Sequence, residues 1–139
     1  LDIEQVKAKV AAGKAYNFGL YDAYLVHAVE SLKGGSAGLS CIQGNFFPEL
    51  IVWLCQNYNN PQLEIEISKV QNFLTDNMEI MHTIYPVTAK YFLQKQDFKI
   101  STFTRRETGL FSANIRKEVD YLYENYRHLQ EELILNTTQ

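Results

Sequence analysis

The sequence predicts an α/β fold with a parallel sheet, and three observations carry the prediction. Over the first 60 residues, segments of helical period alternate with short apolar runs bounded by glycine, in the order α-β-α-β-α. Connections of only a few residues join them, and such alternation implies right-handed crossovers between parallel strands. Only two strand-like runs are present, and parallel strands need helices over both faces and neighbours on both edges. The sheet therefore reads as part of a larger one.

Residues 2–12 read as a helix: Asp2 can cap it, Ile3, Val6 and Val10 share a face, and Gly13 can end it. The short aromatic run at 15–19, AYNFG, reads as the first strand. Residues 21–33 return to helical period, with Tyr24, Leu25, Ala28, Val29 and Leu32 in a stripe. A glycine-rich turn, GGSAG at 34–38, leads to the second strand, GLSCIQ at 38–43. Asn45 and Pro48 open a helix over about 48–58, apolar almost all round and so expected to be buried.

After Pro61 the pattern becomes helical. Residues 62–82 predict one long amphipathic helix, 87–96 a second, and a helix capped by Ser112 runs to about 135. The polar loop at 97–111 holds Arg105 and Arg106, and KISTF at 99–103 is a weak strand candidate. The chain thus divides into residues 1–60 and 61–139.

Composition narrows the function. Apolar residues make up 46% of the 139 residues, which is globular and not disordered. A net charge of −3, without a dense Lys/Arg cluster, argues against a nucleic-acid partner. No apolar run approaches the roughly 20 residues of a membrane span, and the first residues lack the features of a signal peptide. With two cysteines in apolar surroundings, Cys41 and Cys55, free thiols in the cytoplasm are expected. The first residue is not Met, so the chain is expected to begin inside a longer parent.

His27, His82 and His128 lie far apart without ligand spacing, so no metal and no cofactor is expected. There is no nucleophile elbow, P-loop or dinucleotide fingerprint. Chemistry in parallel α/β folds gathers at the C-terminal ends of strands. Here those ends carry Gly19 and Asp22, then Ile42, Gly44 and Asn45, with Ser40 within the second strand. Gly19 and Gly44 would let a ligand approach the backbone. Asp22 and Asn45 have a second reading as caps of the following helices.

The run from Asp22 to Ala28, followed by GGSAGLSCIQGNFFPELIVWLC at 34–55, resembles the dihydrodipicolinate synthase/N-acetylneuraminate lyase family of Schiff-base aldolases. PVTAKYFL, with Lys90, matches a lysine often seen in that family's helical extension. The resemblance implies the C-terminal portion of a (β/α)8 barrel, its last two strands with their helices, followed by a three-helix extension. It implies a lyase acting on pyruvate or another 2-oxo acid. Ser40, Ile42 and Gly44 would line the pyruvate end, and Asp22 and Asn45 would border the mouth. The family's nucleophilic lysine sits on a strand that this chain lacks, and Lys7, Lys9 and Lys14 do not match it. Catalysis would therefore depend on the missing N-terminal part of the barrel, in a homo-oligomer (dimer or tetramer). Gly19, three residues before Asp22, departs from the family's Gly-x-Asp. The other expectation is a non-catalytic helical interaction protein.

Overall fold

The computed structural model describes residues 2–137, with side-chain burial through Leu133. The chain packs as two compact units, one ending at Thr75 and the other beginning at Asp76.

In the first unit, helix α1 (Ile3–Lys14) starts at Asp2, whose side chain accepts the Gln5 N–H while the Gln5 side chain accepts the Asp2 N–H. This reciprocal pairing satisfies two backbone donors that a helix start otherwise leaves open. Val6 and Val10 bury one face. Strand β1 (Tyr21–Asp22) leads through a 3-10 turn at Leu25–His27 into helix α2 (Ala28–Lys33). Strand β2 (Gly38–Leu39) pairs with β1 in parallel, Tyr21 opposite Gly38 and Asp22 opposite Leu39. A second 3-10 turn, Ile42–Asn45, drops Phe46 and Phe47 into the core, both fully buried. Helix α3 (Pro48–Asn57) follows with Pro48 in its first turn, and helix α4 (Glu64–Asp76) buries Ile67, Val70, Phe73 and Leu74. Phe47 meets Phe73 edge to face at 5.4 Å, which ties the second turn to α4.

The barrel expectation is overturned. The protein is 64% helical, and its only strands among the described residues are the two parallel pairs of residues just named, so it is a small helical protein and not a run of alternating barrel strands and helices. The first expected strand fails for a visible reason. Tyr16 and Phe18 are 84% and 66% exposed, so the aromatic run has no partner layer to bury against. Asn17 takes a positive φ of 52°, which breaks an extended run between them. The second expected strand stops at Leu39, because Ile42–Asn45 winds into a turn. KISTF forms no strand, and the expected helix over 62–82 breaks at Asn77.

The second unit comprises helices α5 (Met78–His82), α6 (Val87–Gln94) and α7 (Ala113–Thr137). Phe92 of α6 is fully buried between Tyr123 and Tyr126 of α7. Ser112 accepts the Ile115 N–H at the start of α7, as its position predicts. At the edge of this interface, Asp120 accepts from Lys95 Nζ at 2.7 Å and from Tyr91 OH at 3.0 Å. Desolvation acts to raise the Asp120 carboxyl, but the hydrogen bonds from Lys95 and Tyr91 outweigh it and hold the group below its usual value. The hydrogen bond to Asp120 holds Lys95 above its usual value.

The signs define a pH window. A lowered carboxyl stabilises the fold above its ordinary value of 3.8, and that contribution is lost as pH falls through the lower folded value. A raised ammonium contributes fully below 10.5 and is lost as pH rises through the higher folded value. The pair is partly exposed, at 27% and 42%, so solvent screening keeps its worth to about 0.2–1 kcal/mol. Asp120→Asn is therefore expected to cost that little at pH 7. In thermal melts the gap between variant and wild type closes once the medium is more acidic than the folded carboxyl.

Candidate functional site

The two candidate segments meet because β1 and β2 run side by side. Ala37 N–H donates to Leu20 O at 2.7 Å, and Ser40 N–H donates to Asp22 O at 2.8 Å. The parallel register thus places Asp22 and Ser40 together at the C-terminal end of the strand pair. The turn carrying Ile42, Gly44 and Asn45 follows directly. Ser40 and Asn45 are exposed, while Ile42 and Gly44 are half-buried. A Cβ built on Gly44 would meet nothing within 4 Å, so the backbone there faces open space.

Gly19 falls elsewhere. It precedes β1, at the N-terminal end of the pair, and a Cβ there would lie 2.9 Å from the Ala37 Cβ. Its smallness is needed for the close approach of its own chain at residue 37. The side chain of Asp22 is turned inward, only 5% exposed. Its Oδ1 accepts the Tyr24 N–H at 3.1 Å, which makes a turn ahead of the helix and not the helix cap expected of it, since Tyr24 and His27 hold the cap positions without side-chain hydrogen bonds. Its Oδ2 lies 3.2 Å from His27 Nε2. The Tyr24 ring stands edge-on to the His27 ring, centroids 5.4 Å apart.

Two further side chains reach this region. His27 sits five residues after Asp22, a spacing that matches neither helix nor strand neighbours, and only the 3-10 turn brings the two together. Gln71 lies more than 40 residues away and gives no local signal. Its side chain accepts the Val29 N–H at 3.0 Å and donates to Leu25 O at 2.8 Å and Val26 O at 3.1 Å. It thereby holds the segment between β1 and α2 against α4.

Other chemistry-bearing groups are placed as follows. Cys41 and Cys55 are free, half-buried thiols that desolvation pushes above their usual value. Such thiols are poor nucleophiles. Lys7 is held above its usual value by hydrogen bonds to Glu30 and Glu4, as Lys95 is by Asp120. A Schiff-base amine needs the opposite shift. A cleft of about 260 Å³, lined by residues that include Val29, Lys33, Tyr58 and Glu64, contains none of the six candidate residues. No helix among the described residues is long and apolar enough to cross a membrane.

No family model, no curated protein and no solved structure matches this chain.

Proposed function

We propose that this chain supplies part of the 2-oxo-acid site of a Schiff-base-forming carbon–carbon lyase of the dihydrodipicolinate synthase/N-acetylneuraminate lyase type, with the amine nucleophile provided by residues outside it. The observation that carries the reading is the parallel pairing of β1 and β2. It joins Asp22 to Ser40 through one backbone hydrogen bond and leaves open space over Gly44. In this reading Ser40, Ile42 and Gly44 border the carboxylate and keto oxygen of pyruvate, Ser40 offering its hydroxyl, while the N–H groups of Ser40 and Gly44 are given to Asp22 O and Cys41 O. Asn45 stands at the mouth. Asp22 acts as a positioning residue, because its side chain is buried and its Oδ1 accepts the Tyr24 N–H. The directions of the Lys7 and Lys95 shifts are opposite to the one a Schiff-base amine needs, so neither of these two is the nucleophile in this reading. The free thiols favour the cytosol as its compartment.

Titration of the isotopically labelled chain with pyruvate, followed by amide NMR, tests the proposal. Amides of Ser40, Ile42, Gly44 and Asn45 are expected to shift together with a Kd on the order of 1 mM, equivalent to about 4 kcal/mol. Borohydride is expected to trap no adduct. Unmoved amides at tens of millimolar pyruvate would remove the substrate site, and a trapped adduct on one of this chain's lysines would remove the external amine. A second reading, a helical interaction protein without chemistry, is favoured by the helical content, and unmoved amides are its expected result.

A further inference from the structure

We infer that two copies of this chain dock through their second units, the arginine-bearing loop of each seating in an acidic, aromatic groove of the other. The groove lies on α5 and α7 and encloses about 390 Å³. Asp76, Glu79 and Glu118 give it negative charge against a single cation, Lys117, and Ile80 and Tyr121 supply its apolar surface. Tyr121 is 68% exposed, so an aromatic ring stands unburied at its rim.

The loop between α6 and α7 has the complementary character. It exposes Phe98, Phe103 and Leu110, at 57%, 72% and 83%. Lys99, Arg105 and Arg106 outnumber its two acids, Asp97 and Glu107. Among the described residues, neither arginine forms an ion pair, and neither do the groove carboxylates of Asp76, Glu79 and Glu118. Both sets of charges are therefore available. Exposed aromatic and arginine side chains are the types that carry most binding energy at protein interfaces.

The loop is also held in shape before docking. Lys90 donates to Phe103 O, Gln94 Nε2 donates to Ile100 O at 2.6 Å, and Thr104 donates to Arg106 O at 2.7 Å. At its far end, the Arg116 guanidinium stacks 4.4 Å from the Phe111 ring. A prearranged loop loses little freedom on binding. The occupant is a second copy because the cationic loop and the anionic groove lie on the same unit. A twofold axis then forms the contact twice, once in each direction.

Sedimentation equilibrium of the 139-residue chain tests this. A reversible dimer is expected, weakening as salt rises from about 50 to 500 mM because the paired charges lie at a solvated rim. Arg105→Glu with Arg106→Glu is expected to weaken the dimer at least about 10-fold, as is Glu79→Lys with Glu118→Lys. An equimolar mixture of the two variants is expected to associate again, since each loop then meets a groove of opposite sign. All four positions lie on the surface, and circular dichroism checks that helix content is kept. A chain that stays monomeric to about 500 μM, a dimer indifferent to either reversal, or a mixture that fails to re-associate overturns the inference. So does a monomer that instead binds anionic phospholipid vesicles through Arg105 and Arg106.

Discussion

Gln71→Ala is expected to destabilise the first unit by about 2–4 kcal/mol, more than any exposed ion pair in the protein. Helix α2 spans only six residues, and no side chain at its own start caps it. Short helices have few internal hydrogen bonds to set against their open ends. Gln71 supplies from α4 an acceptor for the open Val29 N–H, and donates to the Val26 carbonyl and to the Leu25 carbonyl, which the Ala28 N–H also meets. Alanine leaves three backbone groups without those bonds. Each bond is worth about 0.5–1.5 kcal/mol net, and unsatisfied buried groups cost more. Gln71→Glu makes the argument specific. A carboxylate keeps the acceptor for Val29 but presents oxygen to two carbonyls, so it is expected to be no better than alanine. Urea titration measures the loss, and amide exchange at Val29 locates it. If alanine cost under about 0.5 kcal/mol, the Gln71 contacts would be incidental to stability.

The difference between Gln71 and Asp2 shows what local sequence can reveal. Asp2 and Gln5 stand three residues apart, and the capping pattern is readable because its geometry is fixed by the helix itself. Pro48 in the first turn of α3 and Ser112 before α7 were readable for the same reason. The long apolar periods of α6 and α7 survive because those faces pack on each other. The aromatic run at 15–19 has local strand preference as well, yet Tyr16 and Phe18 point into solvent, and no pattern within five residues states whether a partner layer exists. At 38–43 the composition suits a strand, but Phe46 and Phe47 must reach the core. The carbonyl of Gln43 accepts both of their N–H groups, at 3.0 and 3.1 Å, so the chain coils instead of extending.

The candidate site divides along the same line. Asp22, Ser40, Ile42, Gly44 and Asn45 stand out in the sequence because glycine-bounded apolar runs mark where strands end. The parallel pairing, although shorter than expected, brings them to one end. Gly19 was misplaced because the first strand begins later than its aromatic signal suggests, at Tyr21. His27 was missed because a 3-10 turn, with three residues per turn, rotates side chains differently from the helix that its sequence implies.

In the second unit, Phe92→Ala is expected to cost about 3–5 kcal/mol, several times the loss from Asp120→Asn. Both residues join α6 to α7, so the comparison sets apolar burial against a charged clasp on one interface. Phe92 is fully buried, with the Tyr123 ring at 5.5 Å edge-on and the Tyr126 ring at 5.6 Å. Removing its ring leaves a cavity that two tyrosines cannot close without leaving their own packing. Asp120 sits at a solvated edge, where water replaces much of what Lys95 and Tyr91 provide. Calorimetry is expected to show a fall in Tm of more than about 10 °C for Phe92→Ala and only a small fall for Asp120→Asn. Phe92→Leu, which keeps most of the apolar volume, is expected to recover over half of the loss. Equal losses for Phe92→Ala and Asp120→Asn would mean that the ionic clasp holds α6 in place. The outcome extends beyond stability, because Lys90 and Gln94 on the same short helix fix the backbone of the loop that carries Arg105 and Arg106. If apolar burial sets the position of α6, it also sets the position of that loop, and Phe92→Ala weakens self-association while leaving every charge in the groove unchanged.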